Sequence, residues 1–424
     1  MHDLLVVGAG PYGLSIAAHA QARGLDTRVF GRPMQSWRDH MPEGMFLKSE
    51  PWASNLSAPG DRFRLDQYCA RIGVAAVHGR PIPVETFASY GLWFAREALS
   101  PVDERMIEHI DAVPGGFAVR TEDGESVQGR AVALANGVLP YQHIPEALRG
   151  LADAHVSHSS RHSDLGRFRG ADVTVVGAGQ AALEIAALLA EQRTRVRIVA
   201  RASRLDWNTV PPPWVRPWHQ SLRAPHSGLG SGWRNWFYAE RPGAFRRLPE
   251  RTRAAIATTA LGPAGAWWIR DRVHSGAIDI RLGRAIEAAR PAAGRLHVRT
   301  AGPAAGAEEF ETDHVIAATG FQATRERMTV LAPGLRHLLA ERPEDTPRVG
   351  RGFESACPGL FLAGLVTTPD YGPAMRFVHG ATYTAPALID GVERYLARLP
   401  RRGGPVVPVG RRQTRVPVAV PSDT

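Results

Sequence analysis

Cysteine is nearly absent from this 424-residue chain: Cys69 and Cys357 are its only two, and they form no C-x-x-C. A disulfide framework and a dithiol redox centre are therefore both excluded as expectations. No apolar run approaches the ~20 residues of a membrane-spanning helix, so no membrane partner is expected. A βαβ pattern begins almost at the first residue, where a leader peptide would carry its apolar stretch, and a cytoplasmic location is the expectation. Lysine is scarcer still. Of 51 basic residues all are arginine except Lys48. A compact ammonium retained in so arginine-biased a chain marks Lys48 as a candidate for a specific task, chance being the alternative. The formal charge of +10 is dispersed along the chain rather than blocked, which argues against nucleic acid as a partner. No convincing metal cluster is present either. His158 and His162 stand four apart, but in a Ser-rich linker.

What is present starts at Leu4-Leu5-Val6-Val7, a short apolar strand, followed by Gly8-Ala9-Gly10-Pro11-Tyr12-Gly13 and an Ala-rich helix. In such a G-x-G-x-x-G turn the first glycine permits the tight turn, the second lets the backbone approach a pyrophosphate, and the third allows close helix–strand packing. The helix N-terminus then offers free N–H groups to the phosphates. A second strand, Thr27-Arg28-Val29-Phe30, completes the βαβ unit.

The theme recurs at Val173-Thr174-Val175-Val176-Gly177-Ala178-Gly179-Gln180-Ala181-Ala182-Leu183-Glu184, with Ala182 in the third glycine's place. Its second strand, Arg195 to Ala200, ends without an acidic residue to read a ribose hydroxyl. Arg201 stands beside that point, with Arg204 shortly after, and favours the 2′-phosphate of NADP; a solvated surface charge is the alternative for Arg201. Two such units predict an α/β protein with two Rossmann-like dinucleotide-binding domains. Residues 205–275 carry seven tryptophans among many prolines and glycines, with neither strand nor helix periodicity. They read as a small irregular insertion, either a pocket wall or a satellite hydrophobic core. Helices are expected over Phe63–Ile72, from Pro83 onward and from about Gly380. Meanders are expected around 117–135 and 281–310, and a buried strand at 360–362.

Taken together these pieces resemble the two-domain flavoproteins, and among them the class B (single-component) flavin monooxygenases, nearest the ornithine and lysine N-hydroxylases and the flavin-containing monooxygenases. The resemblance runs from Leu4 to about Pro386. It assigns FAD to the first glycine motif and NADPH to the second, where Gln180 is typical of the N-hydroxylases. Ala135-Asn136-Gly137 and Ala318-Thr319-Gly320-Phe321 are similar to the family's A-T-G crossings between domains. His158-Ser159-Ser160 is similar to its H-S-x linker. Met45-Phe46-Leu47-Lys48 resembles the F-L-K segment, and residues 83–93 loosely resemble the stretch that follows it. The resemblance implies a substrate-site cation at Lys48, the one catalytic candidate. It implies FAD contacts from Gly8, Gly10, Pro11, Tyr12, Gly13, Arg32, Trp37, Thr319, Gly320, Gly364 and Met375. NADPH contacts are implied from Gly177, Gly179, Gln180, Ala181, Arg201 and Arg204.

The implied domain plan is a FAD-binding first part (1–165), an NADPH-binding domain with the Trp-rich insertion (166–311), a FAD-binding second part (312–396) and a disordered tail (397–424). The implied activity consumes NADPH and O₂: the reduced flavin takes up O₂ at C4a and passes one oxygen to a nucleophilic heteroatom, an amine nitrogen of a small molecule first. An NADPH–FAD reductase without oxygen insertion is the alternative, and a homo-oligomer is left open. The chain departs from the family in three places. Gly31 stands where an acid usually holds the adenosine ribose of FAD. Leu365 stands where many flavoproteins have a second acid, which leaves Tyr371 to Arg376 to read that end of the flavin. The Baeyer–Villiger fingerprint is missing around His158, so that branch drops out.

Overall fold

A computed structural model describes residues 1–303, 306–339, 342 and 345–399. Its first sheet grows from β1 (His2–Val7), whose Leu4, Leu5 and Val6 are fully buried. A continuous apolar run of this kind needs both faces covered, which a parallel sheet layered with helices provides. β1 pairs in parallel with β2 (Thr27–Phe30) on one side and β5 (Ser126–Leu134) on the other. β3 (Ile107–Val113) and β4 (Gly116–Thr121) then extend the sheet antiparallel from the first half of β5. The strand β3 is not evident in the sequence, because its alternation is broken by Glu108, Asp111 and a bulge between Ile107 and His109.

The second sheet is all parallel, in the order β6 (Val156–His158), β13 (His314–Ala317), β7 (Asp172–Val176), β8 (Arg195–Ala200), β9 (Ile278–Leu282). Between β9 and β13 lies a separate three-stranded antiparallel sheet of β10 (Ala285–Ala292), β11 (Arg295–Ala301) and β12 (Glu308–Thr312). Finally β14 (Leu360–Leu362) returns to the first sheet, beside the second half of β5. The α/β expectation with two Rossmann-like units holds. Its boundaries shift, however. β6 lies before 165 and β13 after 312, yet both belong to the second sheet, so that unit is entered before Val156 and left after Ala317. Runs of three or four buried residues suit either sheet, and only the pairing decides.

The helix Pro11–Ala22 packs on β1 and against the long helix Gly380–Arg398, so the ends of the described chain close one core. The expected helices appear as Leu65–Arg71 and Val84–Ala98. The insertion 205–275 is a string of short helices, the longest Glu250–Thr259. It is no satellite core of tryptophans. Trp207 and Trp268 lean on the second unit's core, whereas Trp214, Trp218 and Trp233 are 54%, 75% and 54% exposed. The greater part of the expected tail, residues 400–424, lies outside the described residues.

Candidate functional site

The three glycines of the first turn answer to different neighbours. A Cβ on Gly13 would lie 1.7 Å from the Gly8 carbonyl oxygen, and one on Gly8 would lie 2.2 Å from that of Ala135, at a φ of +107°. Those two glycines serve the fold itself. Gly10 meets nothing within 4 Å, so the fold leaves its open face free for a ligand. Above it sits a cavity of about 230 Å³ lined by Gly8, Gly10, Gly31, Arg32, Gln35 and Ser36 among others. The helix that starts at Pro11 has no acid in its first turn and no side-chain cap, which leaves its positive end available to an anion.

The missing ribose acid has a structural reason. Gly31 has a φ of +117°, and a Cβ there would press to 3.3 Å on the Ala9 amide nitrogen. Its own N–H donates to the Asp103 carbonyl at 2.8 Å, which fixes that conformation. The polar groups facing the cavity come instead from the next turn, Gln35 and Ser36, joined by Asn136 and Arg327. Of these four only Asn136 stands out in the sequence, within the first crossing; for the others a Gln-Ser pair just past a strand end is the one available signal. Arg32 also lines the cavity and stands 3.5 Å from Glu122. Trp37 instead packs edge-on against Phe87, ring centres 4.6 Å apart.

Tyr12 ties this turn to the distant segment that the resemblance pairs with it. Its buried hydroxyl donates to the carbonyls of Met375 and Phe377 at 3.0 and 2.9 Å, and burial pushes its pKa well above the ordinary range. Gly364 and Gly380 pack directly on the Tyr12 side chain.

The second turn repeats the construction. Gly177 has a φ of +142°, and a Cβ there would lie 2.5 Å from the Ala318 carbonyl oxygen, as Gly8 relates to Ala135. Ala182 fits where a third glycine is usual. Gly179 is open except for Pro263 of the insertion, 3.5 Å from where a Cβ would be. Arg201 and Arg204 are exposed just past β8, Arg204 paired with Asp206 at 2.9 Å. Thr319 and Gly320 bind the chain rather than face either turn: the Thr319 hydroxyl donates to the His143 carbonyl, and the Gly320 carbonyl faces His158 Nε2 at 3.0 Å.

Lys48 lies half-buried in the loop between the two units. Its Nζ donates to the Ala264 carbonyl at 2.6 Å, and burial lowers its pKa to about 8. A carboxylate to which the sequence assigns no role, at the end of the second motif, stands behind the same loop: Glu184, 1% exposed, accepts the Phe46 N–H at 3.0 Å. Gln180, an expected nucleotide contact, spends its amide on Glu184 and on the Ala266 N–H, both at 2.7 Å. A larger cavity of about 400 Å³ opens between residues 52–64 and the start of the Gly380–Arg398 helix, lined by Trp52, Asn55, Ser57, Arg64, His379 and Thr382. Trp52 touches Trp214 edge-on at 5.2 Å, so the insertion borders this cavity's wall.

His158 and His162 point into separate hydrogen-bond networks, one with Ser160 and Gly320, the other with Ser157 and His314. Among the described residues no three His, Cys, Asp or Glu side chains gather in a metal-binding arrangement, and no helix is long and apolar enough to cross a membrane. Both cysteines are buried and unbonded.

Comparison with known proteins places these features among relatives. The family model for pyridine nucleotide-disulphide oxidoreductases matches residues 5–224. The indole-3-pyruvate monooxygenase YUCCA1 of Oryza sativa subsp. japonica is 24% identical over 215 residues, 46% of this chain and 47% of that protein. A ferredoxin–NADP reductase of Ralstonia nicotianae is 30% identical over 207 residues, 47% of this chain and 50% of that one. The chain thus spans about half the length of the curated relatives it matches. Among solved structures, an ornithine N-hydroxylase of Kutzneria sp. 744 holding reduced FAD, NADP⁺ and L-ornithine superposes with a TM-score of 0.76. It covers 93% of this chain and 99% of its own at 17% identity, a likeness of fold.

Proposed function

The chain belongs to the pyridine nucleotide-disulphide oxidoreductase family, and from that premise we propose that it is an FAD-dependent, NADPH-consuming monooxygenase that oxygenates the amine nitrogen of a small molecule. The observation that carries the reading is the doubled turn: two open glycines, Gly10 and Gly179, each ahead of a helix N-terminus, with the ammonium of Lys48 between the units. The family's disulphide chemistry needs a dithiol, which two buried cysteines far apart in sequence do not supply.

The bound flavin and nicotinamide supply hydride transfer and dioxygen chemistry; the chain binds, orients and excludes water. The Pro11–Ala22 helix end and the Gly10 backbone hold the FAD pyrophosphate. Gln35 and Ser36 take the adenosine ribose in place of the missing acid. Gly177 to Ala181 cradle the NADPH pyrophosphate. Lys48 holds a proton at Nζ at neutral pH, and its positive charge disfavours a second cation nearby. A substrate amine entering beside it is thereby kept unprotonated, the form whose nitrogen is nucleophilic.

The test is direct. Purified protein is inspected for flavin colour, NADPH is added without oxygen, and air is then readmitted with a panel of small diamines and basic amino acids. Bleaching by NADPH followed by amine-dependent oxygen uptake is expected. Failure of NADPH to bleach the flavin would remove the oxidoreductase reading altogether. Bleaching without oxygen-dependent product, relieved by an added electron acceptor, would favour a reductase.

Arg201 supplies a separate expectation. Arg201→Ala should raise KM for NADPH by about one to two decades, the worth of one charge-assisted contact, and leave KM for NADH within about twofold. Equal effects on both nucleotides would show that Arg201 does not read the 2′-phosphate.

A further inference from the structure

Four hydrogen bonds around Glu184 form a closed circuit through three separate segments. The Ala266 N–H donates to Gln180 Oε1 at 2.7 Å, Gln180 Nε2 donates to Glu184 Oε2 at 2.7 Å, and the Phe46 N–H donates to Glu184 Oε1 at 3.0 Å. Two residues on from Phe46, Lys48 Nζ donates to the Ala264 carbonyl at 2.6 Å, which returns the circuit to the segment where it began. The segment 264–266 is itself anchored: Gly265 donates to the Asp206 carbonyl and accepts from the Asn208 N–H, both at 2.8 Å. Gly265 is also irreplaceable in space, since a Cβ there would lie 2.5 Å from the Trp207 ring and 2.7 Å from Leu183.

Every donor in the circuit has a fixed sense. A backbone N–H can only donate, so Ala266 orients the Gln180 amide with its oxygen outward, and its NH₂ must face Glu184. Phe46 presents another N–H. Glu184 is therefore required to accept twice, once on each oxygen, which a carboxylate does and an amide cannot. Burial raises the Glu184 pKa, and these two donors, with the Gln180 amide as the second of them, oppose that rise.

We propose that Glu184 is the positioning residue of this site: through Phe46 and Gln180 it locks the Lys48 loop of one unit against the second glycine turn of the other. This rests on the reading above for what Lys48 does, but the circuit itself is a property of the chain. It makes the nucleotide turn and the ammonium move as one body. Displacing Gln180 would loosen the 264–266 segment to which Lys48 is tied.

Donor parity gives a test that a merely space-filling Glu184 would fail. Glu184→Gln presents an NH₂ to one of two donors, and Gln180→Glu sets two carboxylates face to face. The double swap Gln180→Glu with Glu184→Gln restores every donor–acceptor pair in the same places. The new carboxylate at position 180 accepts from the Ala266 N–H and from the new amide at position 184, whose own oxygen accepts from the Phe46 N–H. Hydrogen–deuterium exchange of the full chain is read at peptides covering residues 44–48 and 262–267. Each single variant should exchange at least about tenfold faster at both, and the swap should return to within about threefold of the parent. Gln180→Met, which opens the circuit without crowding the buried pocket, should speed exchange most at 262–267 and less at 44–48, where the Phe46 N–H keeps Glu184 as its acceptor.

A swap as fast as the single variants, or unchanged protection in Glu184→Gln, would overturn the circuit. In the FAD-loaded protein, Glu184→Gln should lower kcat for NADPH oxidation at least about tenfold with KM changed less than about threefold, and the swap should recover it. Faster exchange with an unaltered kcat would overturn the positioning role. If the parent oxidises no NADPH while the exchange pattern appears as described, the circuit stands and the monooxygenase reading falls.

Discussion

Replacing Lys48 by methionine is expected to cut product formation about a hundredfold while leaving the protein slightly more stable than the parent. The first half follows from charge. Methionine keeps the length and bulk of the side chain but removes the ammonium, and a positioned charge or proton donor of this kind is worth about 10²–10³ in rate. The second half follows from burial. Desolvation lowers the Lys48 pKa to about 8 in the folded chain, whereas an unfolded lysine titrates near 10.4. Between those values the unfolded chain holds a proton that the folded chain has released, so folded stability rises with pH across that window. Below about 8 the folded protein bears the whole cost of burying the charge. The pKa difference taken at face value is worth ~3 kcal/mol, and roughly 1–2 kcal/mol after allowance for partial contact with solvent. The lost hydrogen bond to Ala264 returns about 1 kcal/mol of that, so the melting temperature should rise by about 1–2 °C. Thermal unfolding at pH 7 and coupled product assays decide the matter. A variant that loses both stability and product would show Lys48 to be a structural tie, with no role at the reacting atoms.

The same residue shows how far the sequence can be read. A lone lysine among arginines points to Lys48 without any knowledge of its surroundings, and the two glycine turns are legible because the strand, the spaced glycines and the helix follow one another directly in the chain, even though Gly8 and Gly177 are held against the distant Ala135 and Ala318 carbonyls. The groups that complete the site are not. Glu184 looks like an ordinary polar position on an Ala- and Leu-rich helix, and its meaning lies in Phe46, 138 residues away. Gln35 and Ser36 line the first cavity beside Gly31, whose N–H is held by the Asp103 carbonyl, again a distant partner. The crossings fail for the same reason in reverse. Ala318-Thr319-Gly320 is legible as a companion of a glycine turn, but whether β13 belongs to the first or second sheet depends on β6 and β7, which a four-residue run does not encode. Three of the tryptophans of the insertion are legible as aromatic mass and illegible as exposed surface.

The crossing itself supplies the other large effect, an acid lability centred on buried histidines. His158, His162 and His314 are 0%, 4% and 3% exposed. His314 Nδ1 faces the Ala154 carbonyl at 2.9 Å and so carries the proton, which leaves its Nε2 to accept from the Ser157 hydroxyl at 2.7 Å. Ser157 Oγ then accepts from His162 Nε2 at 2.6 Å. His158 donates from Nε2 to the Gly320 carbonyl, and its Nδ1 accepts from the Ser160 hydroxyl at 2.8 Å. These contacts are all made with the rings neutral. Burial, reinforced by neighbouring charges, lowers the pKa of His158 and His162 to about 4 and that of His314 in the same direction.

An unfolded histidine titrates near 6.5, so as pH falls from there towards 4 the unfolded chain takes up protons that the folded chain refuses. The stability is whole above about 6.5, declines through that window and loses no more from these groups below about 4. With allowance for residual solvation, His158 and His162 together forfeit roughly 2–4 kcal/mol, a large share of a total near 5–15 kcal/mol. The melting temperature should therefore fall by about 5 °C between pH 7 and pH 4.5. Carboxylates with depressed pKa values, Asp103 among them, release their share at still lower pH and do not blur the window. The double variant His158→Gln with His162→Gln keeps side-chain donors but removes both titrations, so most of that fall in melting temperature should disappear over the same range. An equally steep decline in that variant would place the acid sensitivity elsewhere. A flatter one would locate it at the strand that carries the chain from one unit to the other, where opening the His158–Gly320 contact loosens the Ala318-Thr319-Gly320 crossing that backs the second glycine turn.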